Sequence, residues 1–305
     1  MDGLIDKYKG CLLGLAVGDA LGTTLEFAGP GAFTPITDMV GGGPFGLEAG
    51  QWTDDTSMAL CLAESLIEKN GFDAADQMER YCKWWRDGHL SSKASCFDIG
   101  NTVRNALSLF EKTGNPFCGS KDPMTGGNGS LMRLAPVPMF FNRDVISAIQ
   151  IARDSSATTH GSAEALDACG LYCALICGAL QGIEKEKLLS DSYWSGMQPG
   201  THLSPKILEV SNGSYKRKNP PQIKGTGYVV QSLEAALWAF YRSGNFREGA
   251  LLAVNLGDDA DTTGAIYGQL AGAYYGIDGI PDNWVSRLFK RDLIEDYAVE
   301  IYERS

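Results

Sequence analysis

The chain has 305 residues, of which 44% are hydrophobic, so it can bury a large core. Its formal net charge of −11 argues against a nucleic-acid groove, because a groove that follows a phosphate backbone gathers Lys and Arg. No stretch has the composition of a linker, a signal peptide or a membrane span. We therefore expect a single domain over residues 1–305, located in the cytoplasm and without a membrane partner.

Hydrophobic residues recur at intervals of three and four along most of the chain, as in residues 57–67 and 232–240. Alternating strand patterns are nearly absent. The sequence therefore predicts an all-α fold, a compact helical bundle.

Two segments carry glycine at every fourth position. They are Gly10, Gly14, Gly18 and Gly22 near the start, and Gly264, Gly268, Gly272 and Gly276 near the end. On a helix this spacing leaves a groove without side chains, where a second backbone can approach closely. We expect both helices to pack centrally, and pairing between them would bring the two ends of the chain together.

Two acidic segments each lead directly into a predicted helix. The first is Gly50-Gln-Trp-Thr-Asp-Asp-Thr-Ser57 and the second is Gly257-Asp-Asp-Ala-Asp-Thr-Thr-Gly264. Asp and Thr are favoured helix N-caps, so capping is one interpretation. The carboxylates exceed what capping needs, and oxygen ligands favour Mg²⁺, Mn²⁺ or Ca²⁺ over zinc. Spacing alone leaves capping and metal binding open.

Three polar motifs lie between the acidic segments. Asp98 and Asn101 would share one face of a helix, or belong to another capped helix start. Gly126-Gly-Asn-Gly129 precedes Ser130, which we expect near a helix start, and its exposed amides could cradle a diphosphate or form a plain turn. His160 precedes a predicted helix, where a neutral imidazole is favoured, so it is a ligand contact or a capping residue.

Two further features have structural alternatives to a functional role. Cys169, Cys173 and Cys177 lie at four-residue spacing in an apolar run, which indicates a buried helix face rather than a zinc site. Tyr228 follows Gly225 and Gly227, so its ring could project from a loop and stack on adenine, or pack at a helix start.

Six ordered motifs resemble the ADP-ribosylglycohydrolase family, and in particular its dinitrogenase reductase-activating glycohydrolase branch. They are Gly10-Cys-Leu-Leu-Gly-Leu-Ala-Val-Gly-Asp-Ala-Leu-Gly22 with Glu26, Trp52-Thr-Asp-Asp-Thr56, Asp98-Ile-Gly-Asn-Thr102, Gly127-Asn-Gly-Ser-Leu-Met-Arg133, Thr159-His160 and Asp259-Ala-Asp-Thr262. The resemblance covers about residues 8–285. One departure is that the Gly-Gly common in the family before the second acidic segment is Gly257-Asp258 here.

The resemblance implies an enzyme with two divalent cations, Mg²⁺ or Mn²⁺. The implied metal ligands are Thr53, Asp54, Asp55, Asp259, Asp261 and Thr262. The implied catalytic residues are Asp98, Glu26 and Asp55. The implied substrate-binding residues are Asn101, Gly127, Asn128, Gly129, Ser130, His160 and Tyr228.

The implied reaction is hydrolysis of the N-glycosidic bond of ADP-ribosylated protein side chains, which releases ADP-ribose. Arginine is the expected linkage, because the motifs look like those of the arginine-directed branch and because acidic residues near the cleft would attract a guanidinium. These acidic residues are Glu26, Glu48, Asp98 and Asp122. Alternatives are hydrolysis of serine-linked or polymeric ADP-ribose, a dimetal phosphohydrolase, and a non-catalytic ADP-ribose binder.

Overall fold

The computed structural model describes residues 2–198 and 200–305, and within these ranges the regular structure is helical. Paired β backbone is limited there to isolated bridges. The helices are α1 Asp2–Gly22, α2 Asp54–Lys69, α3 Ala74–Asp87, α4 Asn101–Thr113, α5 Pro136–Phe140, α6 Val145–Ala157, α7 Ala163–Leu180, α8 Lys185–Leu188, α9 Tyr193–Met197, α10 Pro205–Ser211, α11 Val229–Arg242, α12 Phe246–Val254, α13 Ala260–Tyr275, α14 Asp282–Val285 and α15 Arg291–Arg304. The predicted all-α fold is confirmed.

The two glycine-bearing helices, α1 and α13, pack directly against each other along most of their length. A Cβ placed on Gly14 would overlap the carbonyl oxygen of Gly268, and a Cβ on Gly18 would overlap that of Gly264. The backbones approach so closely that only glycine fits at these crossings. The expectation that these helices pair centrally is therefore confirmed.

Helix α7 is the most apolar helix of the core. It is long and apolar enough to cross a membrane, but 83% of its residues are buried inside the fold, as in the core helix of a globular protein. Cys169, Cys173 and Cys177 are buried in it as free thiols. Their assignment to a buried helix face is confirmed.

The site is positioned by the starts of three helices. Helix α2 begins at Asp54, α4 at Asn101 and α13 at Ala260, and residues at each of these starts line one cavity. The first amide groups of a helix have no partner within the helix, and they carry the positive end of its dipole. The fold therefore directs three partly positive helix ends toward one space.

Candidate active site

The first acidic segment begins α2, but its own side chains do not cap the helix. Thr53 occupies the N-cap position and makes no side-chain capping bond. Instead, Asp19 of α1 accepts hydrogen bonds from the amides of Thr53 at 2.9 Å and Thr56 at 3.0 Å, and from the Thr56 hydroxyl at 2.6 Å. Because Asp19 satisfies the helix start, Asp54 and Asp55 are free for another task.

The second acidic segment meets the first, as the metal-ligand set implied by the family resemblance requires. The Thr53 hydroxyl lies 3.0 Å from Asp55 Oδ2 and 3.3 Å from Asp261 Oδ2, and the Thr262 hydroxyl lies 3.5 Å from Asp55 Oδ2. Asp259 is the N-cap of α13 and likewise makes no side-chain capping bond. Capping therefore does not account for the carboxylates of either segment.

Several buried carboxylate oxygens in this cluster have no hydrogen-bond partner among the described residues. They are Asp55 Oδ1, Asp261 Oδ1 and Glu26 Oε2. Oxygens from Glu26, Asp98 and Asp261 come within 4.8 Å of one another, and so do oxygens from Asp19, Asp55 and Asp261. Unpaired buried anions are costly unless a cation neutralises them. This arrangement of oxygens fits divalent cations.

Burial raises the pKa values of these carboxyls, and neighbouring carboxylates raise most of them further. The pKa of Asp55 is well above its usual range because of desolvation and then the charge of Asp19, and the pKa of Asp261 is likewise raised by desolvation and by Glu26. Desolvation raises the pKa of Asp98 to about 7, and desolvation with the charge of Asp98 raises that of Glu26 to about 10. The cluster therefore resists holding its full negative charge without cations.

A cavity of about 590 Å³ opens above the cluster, a size typical of sites for small-molecule ligands. Of the predicted metal and catalytic residues, those on its wall are Glu26, Asp54, Asp98, Asp259 and Thr262. Thr53, Asp55 and Asp261 are buried in the adjoining cluster. The sequence predicted that Glu48 and Asp122 lie on segments near the cleft. Neither residue lines the cavity.

The expected helix over Asp98 and Asn101 is wrong in one respect. Asp98 has a left-handed backbone with φ of 59° and lies before α4, which begins at Asn101. The two residues are therefore not one turn apart on a helix, although both line the cavity. The change of backbone direction at Asp98 brings the first amides of α4 to the same wall.

The glycine loop, residues 126–130, forms another wall of the cavity. Within the described part of the chain, the amides of Gly129 and Ser130 donate no hydrogen bond, and Gly129 lines the cavity, so its amide is available to an anionic ligand. The Asn128 side chain donates to Asp259 Oδ2 at 2.8 Å and so orients an acidic residue of the cluster.

The expected position of Ser130 is wrong. It lies in a turn, well before α5, and its buried hydroxyl accepts a hydrogen bond from Ser156 Oγ at 2.8 Å. The side chain does not line the cavity, because the turn directs it into the core. Any contact from Ser130 to a ligand would come from its amide.

His160 and Tyr228 lie on either side of the glycine loop. His160 lines the cavity, and desolvation lowers its pKa to about 3, so the imidazole is neutral. The Tyr228 phenol donates to Glu164 at 2.5 Å and accepts from Lys206 at 2.7 Å. Its ring lies beside Gly126 but is not part of the cavity wall, so adenine stacking stays a prediction.

Sequence reasoning missed two features of the site. Asp19 interrupts the first glycine segment and gave no signal of its own. Asp258 has φ of 54° and exchanges backbone hydrogen bonds with the segment after Glu26, from the Phe27 amide at 2.6 Å and to the Ala28 carbonyl at 2.8 Å. A left-handed position favours Gly and tolerates Asp, which explains the departure Gly257-Asp258.

Comparison with known proteins identifies the family to which this fold belongs. The family model described as ADP-ribosylglycohydrolase matches residues 1–305. The ADP-ribosylarginine hydrolase Tri1 of Pseudomonas putida (strain GB-1) is 45% identical over 301 residues, covering 99% of this chain and 79% of the relative. The ADP-ribosyl-[dinitrogen reductase] glycohydrolase of Rhodospirillum rubrum is 30% identical over 287 residues, covering 93% and 90%.

A solved structure described as an ADP-ribosylglycohydrolase-related protein complex has a similar fold. The match has a TM-score of 0.89 at 43% identity and covers 100% of both chains. The chain belongs to the ADP-ribosylglycohydrolase family, as its motifs predicted, and is therefore an enzyme of the hydrolase class.

Proposed function

We propose that this enzyme releases ADP-ribose from ADP-ribosylated arginine side chains of proteins, with the help of two divalent cations. The observation that carries the proposal is the set of unpartnered buried carboxylate oxygens on Glu26, Asp55 and Asp261 beside the cavity. The arginine linkage is supported by similarity to a relative named ADP-ribosylarginine hydrolase.

The cations would be held by oxygen ligands at the starts of α2 and α13. The proposed ligands are Thr53, Asp54, Asp55, Asp259, Asp261 and Thr262. When bound, Mg²⁺ or Mn²⁺ would supply Lewis-acid chemistry to water and to sugar hydroxyls. Asp19 holds the start of α2 in place, and Asn128 orients Asp259. These two residues are expected to fix the ligand geometry.

The diphosphate of ADP-ribose would lie against uncharged donors. The start of α4 supplies the amides of Asn101, Thr102 and Val103, all of which line the cavity. The glycine loop adds the amides of Gly129 and Ser130. Helix starts and consecutive amides bind phosphate without a cationic side chain, which suits a chain with a net charge of −11.

The guanidinium of the acceptor arginine would lie at the cavity wall formed by Glu26, Phe27 and Asp98. The Phe27 ring is 69% exposed although it lines the cavity. A weakly hydrated planar cation is attracted both to an aromatic face and to carboxylates. Of Asp98 and Glu26, one would transfer the leaving-group proton and the other would deprotonate water.

The proposal is tested with matched peptides that carry ADP-ribose on arginine or on serine. We expect free ADP-ribose as the product and a higher kcat/KM for the arginine peptide. AMP with ribose phosphate would indicate a phosphohydrolase instead, and equal cleavage of the serine peptide would overturn the arginine assignment. Binding of ADP-ribose without turnover of any substrate would indicate a non-catalytic relative.

We further infer that residues 1–305 act as one catalytic domain in the cytoplasm. The free cysteines support a reducing compartment, since extracellular domains commonly pair such thiols. Fractionation of cells that express the intact protein would test the location.

A further inference from the structure

The side chain of His160 is held between a buried hydroxyl and the glycine loop. Its Nδ1 atom lies 2.9 Å from the hydroxyl of Thr159. On the other side of the ring, a Cβ added to Gly127 would lie 3.3 Å from His160 Nε2 and one added to Gly129 would lie 2.9 Å from Cε1, so the loop packs closely against this edge. The imidazole therefore has one nitrogen in the core and the other at the cavity wall.

The contact with Arg133 determines how the Thr159 hydroxyl takes part in hydrogen bonds. The guanidinium Nη2 atom of Arg133 lies 2.7 Å from Thr159 Oγ1, and an arginine side chain can only donate. Thr159 Oγ1 therefore accepts from Arg133 and still has one hydrogen of its own to donate. Among the described residues, His160 Nδ1 is the acceptor recorded for this hydrogen, so a ring without a proton on Nδ1 satisfies it and a ring with one leaves it unpaired.

The protonation of the imidazole follows from this chain of donors. A neutral ring that lacks a proton on Nδ1 carries it on Nε2. Burial and the nearby charge of Arg133 lower the pKa of His160 to about 3, so the ring stays neutral at physiological pH. The nitrogen at the cavity wall is thus an uncharged N–H donor.

Arg133 is suited to a fixed role because it is buried, at 1% exposure. Among the described residues its hydrogen bonds go to Met58 Sδ, the Gly129 carbonyl and the Thr159 hydroxyl, none of which is a carboxylate. Its guanidinium instead lies over the Tyr81 ring at 4.6 Å and donates to the Gly129 carbonyl at 3.0 Å. One cation therefore holds both the glycine loop and the hydroxyl that orients His160.

The donor on His160 has no partner among the residues that the structure describes. Within residues 2–198 and 200–305, no hydrogen bond to His160 Nε2 is formed, and the adjacent amides of Gly129 and Ser130 are also free. Of these N–H groups, those of His160 and Gly129 belong to residues on the same wall of the cavity. Such a set of uncharged donors matches a diphosphate.

We propose that Arg133 and Thr159 are positioning residues that keep His160 in the Nε2–H tautomer, and that this N–H donates to a diphosphate oxygen of bound ADP-ribose. The second half of the inference rests on the proposed function, because it assumes ADP-ribose as the ligand. The first half concerns the protein without ligand and can be measured separately.

The tautomer is read directly by NMR of protein labelled with ¹⁵N in the histidine rings. The chain has three histidines, so few signals overlap, and the His160→Gln variant assigns those of His160. We expect a protonated Nε2 and an unprotonated Nδ1 that do not change between pH 8 and pH 5. An unprotonated Nε2 in the wild-type protein would overturn the inference.

Thr159→Val and Thr159→Ser form a matched pair of variants. Valine has nearly the shape of threonine but no hydroxyl, so the other tautomer should appear and the Kd of ADP-ribose should rise about 10-fold or more. Serine keeps the hydroxyl and should restore both the tautomer and the affinity. An unchanged tautomer in Thr159→Val would contradict the relay; if that variant fails to fold, the wild-type spectrum still decides.

Two ligands separate this inference from the proposed function. Adding ADP-ribose with Mg²⁺ should shift the Nε2 signal of the wild-type protein, whereas adenosine, which lacks phosphates, should leave it unchanged. An equal response to both ligands would overturn the diphosphate contact. Absence of ADP-ribose binding would contradict the proposed function and that contact together, while the tautomer of the ligand-free protein would still confirm or overturn the relay.

Discussion

The packed part of the α1–α13 pair and the acidic residues Asp19 and Asp261 belong to the same two helices but depend on opposite kinds of contact. Along the pair, Gly14 and Gly268 bring the backbones together with no side chain between them. At the end, Asp19 and Asp261 bring in carboxylates that repel one another. The rigid, uncharged contact fixes the helices from which the charged side chains extend.

Because their contacts differ, the two regions should respond differently to substitution. The stability of the glycine contact should not depend on pH, since no side chain lies between the two backbones. It should be lost when a side chain is added, because the neighbouring atoms are backbone. At the cluster, neutral substitutes of similar shape should preserve the fold, but hydrolysis should be lost when the charge is removed. Each of the following predictions tests one side of this contrast.

The largest expected effect is that of Gly268→Leu, which should prevent folding. A Cβ alone would already overlap the Gly14 carbonyl, and backbone atoms cannot give way as a flexible side chain can. We expect a loss of more than about 4 kcal/mol in the free energy of unfolding, measured by denaturant unfolding if any folded protein forms.

Gly3→Ala is the matched control for the glycine contact. Gly3 also lies in α1, but a Cβ there would meet no atom within 4 Å. Alanine should leave the free energy of unfolding unchanged or slightly higher, because alanine favours the helix and Gly3 lies in its first turn. A stable Gly268→Leu protein, or equal damage by both substitutions, would show that close backbone packing is not what holds α1 and α13 together.

The next effect is that of Asp55→Asn and Asp261→Asn, which should reduce hydrolysis while keeping the fold. Losing an outer partner of a metal ligand costs about 10- to 100-fold, so losing the charge of a ligand should cost at least about 100-fold in kcat/KM. In metal-free protein, each variant should raise the melting temperature, because one repelling charge is gone.

Asp73→Asn is the control for these substitutions. Asp73 caps α3 by accepting from the amides of Ala75 and Asp76, a role that asparagine can keep. Its turnover should match that of the wild type. Near-normal turnover of Asp55→Asn and Asp261→Asn at limiting metal would show that hydrolysis does not depend on these carboxylates as metal ligands.

The stability of metal-free protein should fall as pH rises. Asp19 and Asp98 have pKa values raised to about 6 and about 7, above the ordinary 3.8, so they bind protons more tightly in the folded chain. The stabilisation is complete below about pH 4 and is lost as pH rises through 6 and 7. The melting temperature of metal-free protein should therefore be higher at pH 5 than at pH 8.

Saturating Mg²⁺ should remove most of this difference in melting temperature between pH 5 and pH 8. Comparing the protein with and without Mg²⁺ at each pH cancels the contributions of titratable groups outside the cluster. At pH 8, a free concentration 100 times the Kd should add about 2.7 kcal/mol to the free energy of unfolding. Equal melting curves with and without Mg²⁺ at pH 8 would show that the cluster does not bind the cation.

The smallest expected effect is that of Phe27→Leu on the choice of linkage. Loss of the aromatic face should lower kcat/KM for the arginine-linked peptide by about 2- to 30-fold and leave the serine-linked peptide unchanged. Phe117→Leu changes another exposed ring, one that does not line the cavity, and should have no effect. An equal loss on both peptides would assign Phe27 to packing rather than to guanidinium recognition.

The parts of the fold that the sequence could predict are those that local patterns determine. Four-residue glycine spacing indicated the α1–α13 contact, and two Asp-Thr segments before helices indicated the cluster. Asp19 could not be found in this way, because its role depends on the packing of α1 against the start of α2. The direction of the Ser130 side chain and the left-handed backbone of Asp98 are likewise set by tertiary contacts.

The dependence of hydrolysis on a metal centre is tested most directly by following the release of ADP-ribose from an arginine-linked peptide as Mg²⁺ or Mn²⁺ is removed and returned. If the carboxylates of α2 and α13 act through bound cations, turnover should stop in excess chelator and recover when either cation is added back. Undiminished turnover in excess chelator would contradict the assignment of these carboxylates to a metal centre.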